Sequence, residues 1–244
     1  MEAYINKFIL SFIAFFMISF WIFKGWKNPE PLPRSKNIKK ELMEVGLFIS
    51  LELIYIILAV FIFSSFSSSP IVQITRELLN ILTSFFIPFL YLSIKDKWTC
   101  SDFGLKYNFN NWMILFPSIF YGTYHGILNP GNSNLVTLLV LLFTNVIYEE
   151  FIYRGVIQSK LERVFKQNIA LILQGIIFML IHVPKFIFEL LVDSNVIWFY
   201  LKLLIIFFSG IVYGLIYLKT RTIWISVICH YLYNYFGVIL LFFI

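Results

Sequence analysis

Residues 135–158 read LVTLLVLLFTNVIYEEFIYRGVIQ. At 1.5 Å per residue a helix of this length reaches about 36 Å, more than the ~30 Å of bilayer hydrocarbon. The stretch is apolar until Glu149, Glu150 and Arg154. Charges at membrane depth cost several kcal/mol unless they are paired or put to use. The segment therefore predicts both a transmembrane helix and a polar device inside it. Two other apolar runs carry similar anomalies: His182 in 169–183, and His230 with Asn234 in 222–244.

The whole chain agrees with a membrane location. Of its 244 residues 60% are hydrophobic and 13% charged, where a soluble domain carries roughly a quarter charged. Phe, Tyr and Trp make up 20%, a composition suited to lipid-facing surfaces and interfacial belts. No polar stretch is long enough to fold as a separate soluble domain, so 1–244 reads as one integral membrane domain. The apolar run near the start has no small-residue cleavage site after it and reads as a retained span. Cys100 and Cys229 offer neither a disulfide framework nor zinc-type spacing. The net charge of +6 reflects topology here, and no nucleic-acid partner is expected.

Eight apolar runs are long enough to be spans: 5–23, 42–63, 71–94, 112–128, 135–158, 169–183, 197–218 and 222–244. The expected fold is an all-α polytopic bundle. Breakers separate the runs at Ser64 to Pro70, at Asn129-Pro130-Gly131-Asn132, and at Pro184. The fourth and sixth runs are short, which predicts tilt or cavity-lining ends. Fourteen of the nineteen Lys and Arg fall in alternate connections, 24–41, 95–111, 159–168 and 219–221. The positive-inside rule places these in the cytoplasm and both termini outside. Counted from the cytoplasmic end of each span, Glu149 lies about 14 Å deep, His182 about 20 Å, His230 about 12 Å and Asn234 about 18 Å. The polar groups thus share one layer, expected slightly to the cytoplasmic side of the midplane and opening that way.

Helical spacing divides the labour. Glu150 and Arg154 are four apart, so they share a face and suit an ion pair. Glu149 points about 100° away and is free to act as a general base on water, with His182 positioning that water. The bland alternative is that both glutamates only hold helices together. His230 and Asn234, also four apart, present hydrogen-bond donors that suit an oxyanion; the alternative is an interhelical hydrogen-bond pair. No H-E-x-x-H zinc motif, no G-x-S-x-G elbow and no mid-span aspartate pair is present, which leaves a glutamate–histidine device.

In order, E-E-x-x-x-R (Glu149 to Arg154), F-x-x-x-H (Phe178 to His182) and H-x-x-x-N (His230 to Asn234) resemble the CPBP family of intramembrane proteases. That family includes the CAAX-processing endopeptidases and bacterial relatives linked to bacteriocin immunity and peptide processing. Gly210 to Gly214 and Thr220 to Trp224 also look like the family's segment before its last motif. The resemblance covers about 135–236 as a catalytic core; residues 1–128 match only in hydrophobicity and read as variable N-terminal spans. It implies a glutamate-type endopeptidase with Glu149, His182, His230 and Asn234 catalytic, and Glu150 with Arg154 in support. The implied substrate is a membrane-associated peptide or a lipidated protein, in the cell membrane of what the Ile/Phe/Lys/Asn-rich composition suggests is a bacterium. No cofactor is favoured, although zinc held by Glu149, His182 and His230 is a variant of the same reading.

Other functions remain open at this point: a non-enzymatic immunity or scaffold protein that kept the polar sites for binding, and a transporter using Glu149 as a proton relay, for which no internal repeat speaks. Glu52, mid-span in the second run, would pair with Arg76 or line a cavity. His125 lacks an acidic neighbour and reads as structural. Arg76, Glu77 and Lys202 read as interfacial or bundle-facing, and Gly210 with Gly214 as a close-packing face.

Overall fold

A computed structural model describes residues 2–27, 29–62, 69–106, 113–128 and 142–240. Among these residues every regular element is helical. The chain is an all-α membrane bundle.

Eight helices follow in order. They are α1 (Glu2–Gly25), α2 (Ile38–Ile57, continued by a π-helical turn Leu58–Ile62), and α3 (Pro70–Ile81, π-helical Leu82–Phe86, Ile87–Lys95). Next come α4 (Leu115–Leu128) and α5, which joins Leu142–Val146, Ile147–Glu150, Phe151–Gln158 and Ser159–Val164. The last three are α6 (Gln167–Asp193), α7 (Val196–Thr220) and α8 (Ile223–Leu240). Four helical stretches are long and apolar enough to cross a membrane among the described residues: Ile38–Ile62, Ile71–Lys95, Gln167–Val192 and Val196–Thr220. Pro70 sits in the first turn of α3, where its missing N–H costs nothing. The breaker at 129–132 lies outside the described residues.

Two boundaries differ from the sequence expectation. The sixth span does not end at Pro184, which lies inside the 27-residue α6. A proline removes one backbone donor, a loss that membrane helices absorb through their neighbours, and apolar residues continue beyond it. Glu189 in this extension is paired with Lys202 of α7, Nζ to Oε2 2.5 Å. The fifth span runs past 158 to Val164. Its charged end reads as a loop from composition, but here the charges are consumed by tertiary contacts.

Those contacts gather the cation-rich connections at one end of the bundle. Lys160, fully buried, donates to Glu41 (2.8 Å) and Glu44 (2.6 Å) of α2 and to Asp96 after α3 (3.3 Å). Arg221 bonds Glu162 at 2.6 Å, and Arg163 bonds Asp102 at 3.3 Å. The Ser35 N–H donates to the Arg163 carbonyl, and the Ile223 N–H to that of Gly104. All four basic segments thus share one end, as an even alternation of crossings requires. Removing a buried cation leaves its partners uncompensated, at about 3–5 kcal/mol. Lys160→Met is therefore expected to lower unfolding stability in detergent by that amount. A loss within 1 kcal/mol would mean that the three carboxylates do not depend on Lys160.

Two buried clusters flank the middle of the bundle, one joining Phe48 and Leu92 to Phe151 and Phe178, the other joining Ile22 and Tyr121 to Tyr213 and Cys229. Gly210 and Gly214 let α7 approach its neighbours. A Cβ on Gly210 would meet Phe178 Cδ1 at 3.1 Å and Gly175 Cα at 3.2 Å, and one on Gly214 would meet Leu171, Gln174 and Gln158 atoms at 2.7–2.9 Å. At this distance the α7 carbonyls serve α5: Gly214 accepts from Gln158 Nε2 at 3.0 Å, and Gly210 from Arg154 Nη2 at 3.5 Å.

Candidate active site

Glu149 and Glu150 occupy a single α-turn, Ile147–Glu150, between π-helical segments of α5. Extra residues per turn of this kind recur at functional sites. The adjacent carboxylates face different surroundings. Glu150 is fully buried and lies 3.2 Å from Arg154 Nη1, itself fully buried. The Arg154 guanidinium is also enclosed by aromatic rings, 4.4 Å from the Phe178 centroid and 5.2 Å from that of Tyr213. Such ring faces stabilise a cation held out of water. Glu149 retains a third of its side-chain exposure and points into a cavity.

The histidines reach this cavity from α6 and α8. His182 Nδ1 lies 2.7 Å from the Phe178 carbonyl oxygen. A carbonyl only accepts, so Nδ1 carries the proton and Nε2 is left for the cavity. His230 Nδ1 lies 2.8 Å from Glu150 Oε1, and its ring stacks on Tyr213 with centroids 4.7 Å apart. Its Nε2 is 3.9 Å from Glu149 Oε2. A linear relay results, running from Arg154 through Glu150 and His230 to Glu149. The outer members fix the tautomer and ring orientation of His230, as carboxylates do for working histidines.

Glu149, His182, His230 and Asn234 all line the same cavity, about 320 Å³ in volume, together with Asn145, Phe178, Lys185, Phe186, Ser209, Tyr213 and Tyr235 among others. The sequence brought forward the first four. Asn145 was also within reach, being one turn from Glu149 on the same face. The Glu150–His230 bond, spanning 80 positions, had no local signal. Arg76 pairs with its neighbour Glu77 at 2.8 Å and not with Glu52. Glu52 is buried on α2 against the Ser84 hydroxyl. His125 falls in α4, and its side chain lies outside what the structure describes.

The lining runs past the polar residues as seen from the basic end, with Asn145 beyond Glu149, Lys185 and Phe186 beyond His182, and Tyr235 beyond Asn234, while Phe178 lines it one turn before His182. Because α6 begins at Gln167, His182 is about 22 Å from that end, within a helix about 39 Å long. The cavity sits at mid-depth and extends away from the basic connections.

Zinc is tested by the donor set. Among the described residues no three His, Cys, Asp or Glu side chains are arranged to hold a metal ion. As placed, His230 is hydrogen-bonded to Glu150 through Nδ1 and stands 3.9 Å from Glu149 through Nε2.

Residues 130–236 match the family model described as type II CAAX prenyl endopeptidase Rce1-like. Over this segment the chain is similar to the Rce1-like family. The family is one of proteases, and the three polar motifs all fall within the matched residues. No curated protein and no solved structure matches the chain. The Rce1-like segment takes in α5 to most of α8, the helices that carry all four cavity-lining polar candidates.

Proposed function

We propose that the protein is an intramembrane endopeptidase of glutamate type, hydrolysing a peptide bond in a membrane-associated peptide or lipidated protein. The observation that carries this reading is the convergence of Glu149, His182, His230 and Asn234 on one cavity in a segment with Rce1-like similarity. Glu149 takes a proton from water, which His182 orients by accepting through Nε2. The hydroxide attacks the peptide carbonyl carbon, and the carbonyl π electrons move to oxygen. Asn234 Nδ2–H and His230 Nε2–H donate to that oxyanion. Since Nδ1 of His230 already donates to Glu150, donation from Nε2 requires the imidazolium. Two carboxylates flank that ring, Glu150 at 2.8 Å from Nδ1 and Glu149 at 3.9 Å from Nε2. Collapse of the tetrahedral intermediate expels the amine, which recovers the proton from Glu149.

Helices α1 to α4 would complete one membrane domain around this core. The basic end is assigned to the cytoplasm by the positive-inside rule, so the cavity extends toward the outer half of the bilayer. Cys100, exposed in a basic connection, and Cys229, buried in α8, make the native chain its own probe. A membrane-impermeant maleimide is expected to label Cys100 only after cells are permeabilised; labelling of intact cells would reverse the orientation.

The function itself is tested with purified protein in lipid nanodiscs and a panel of lipid-anchored peptides, with fragments read by mass spectrometry. Cleavage at a defined bond, undiminished after treatment with a strong chelator, is the expected result. Uncut peptides across the panel together with specific, unhydrolysed binding would favour the non-enzymatic partner, and activity lost on chelation and restored by zinc would replace the metal-free route.

A further inference from the structure

The cavity also contains a cation that forms no ion pair among the described residues. Lys185 stands one turn past His182 on α6, is exposed, and lines the same cavity; its charge is felt at His182. Helical spacing offers it Glu189, four residues on. That carboxylate is instead held by Lys202 of α7 at 2.5 Å. No other described residue forms an ion pair with Lys185, so Lys185, Glu189 and Lys202 together carry one net positive charge. An adjoining cavity of about 180 Å³, lined by Phe186, Trp198, Lys202, Ile206, Tyr233 and Asn234, shares four of these walls with the first. A mostly apolar groove with a positive margin therefore continues from the reacting groups.

An ammonium at this depth is costly without an anion. We propose that Lys185 receives a carboxylate of the bound peptide and so fixes its register relative to Glu149. This assignment rests on the peptidase reading. It names a specificity residue that touches substrate away from the scissile bond. The carboxylate is either the peptide's own C-terminus or an acidic side chain, which a lysine reads alike as a point charge.

Binding without turnover tests it. Three N-palmitoylated peptides of one apolar sequence are compared on the full chain carrying Glu149→Gln in nanodiscs: a free C-terminal acid, its amide, and an amide with a penultimate Glu. The free acid is expected to bind about tenfold tighter than the amide, the scale of one charge-assisted hydrogen bond. The preference should vanish on adding Lys185→Met and persist on adding Lys185→Arg. Tighter binding of the free acid alone identifies the C-terminus, tighter binding of the penultimate-Glu amide alone identifies the side-chain source, and tighter binding of both shows that either carboxylate is accepted. Equal binding of all three peptides, which needs no Lys185 variant to observe, overturns the proposal, as does a preference that survives Lys185→Met. A chain that prefers the acid yet cleaves nothing would instead count against the peptidase reading alone.

Discussion

Glu149→Gln is expected to lower peptide cleavage by about 10²–10⁴-fold, the contribution of a positioned general base, while leaving unfolding stability unchanged within about 0.5 kcal/mol. The two halves of this expectation have one structural origin. Glu149 keeps a third of its exposure and its nearest charged neighbour is His230 at 3.9 Å, too far for a hydrogen bond. It holds no helices together, so exchanging one oxygen for an amide disturbs no packing. What is lost is the lone pair that takes the proton from water. Single-turnover assays with an excess of enzyme separate this chemical step from substrate binding. A Glu149→Gln protein that turns over at the parental rate would remove Glu149 from the chemistry and, with it, the proposed mechanism. A large drop in stability would instead make Glu149 a structural residue, as its neighbour is.

The contrast between the two adjacent glutamates shows how far the sequence could be read. The i,i+4 spacing of Glu150 and Arg154 is a local rule, and their pairing at 3.2 Å follows from it. The placing of Glu149 on a different face also follows, because one residue of helix turns the side chain by about 100°. The helices themselves were legible for the same reason: each apolar run satisfies its own backbone and needs no knowledge of its partners. What failed was whatever depends on tertiary context. Pro184 was read as a stop, yet α6 continues to Asp193 because Glu189 finds Lys202 on another helix. Lys160 and Glu162 were read as loop charges, yet both are buried in α5 by partners 59 to 119 positions away. The same blindness hid the bond from Glu150 to His230, and with it the reason why two glutamates and a histidine operate as one unit.

That unit yields the second large effect. Arg154→Met should destabilise the fold by about 3–5 kcal/mol, because it leaves Glu150 ionised and enclosed with no cation of fixed charge beside it. Both side chains are fully buried, so water cannot take the place of the guanidinium. Removing both charges by Glu150→Gln together with Arg154→Met is expected to recover most of that loss, since a neutral pair carries little desolvation penalty. Activity should not return with stability. A glutamine at 150 still accepts from His230 Nδ1 but offers no negative charge to the imidazolium that donates to the oxyanion. The double variant therefore separates the two roles of Glu150: it is needed by the fold only because Arg154 is present, and by the chemistry because His230 is. Reversible unfolding in mixed detergent micelles reads the first role and kcat the second. A double variant that regains both would show that His230 works without the charge of Glu150, and the relay would reduce to packing.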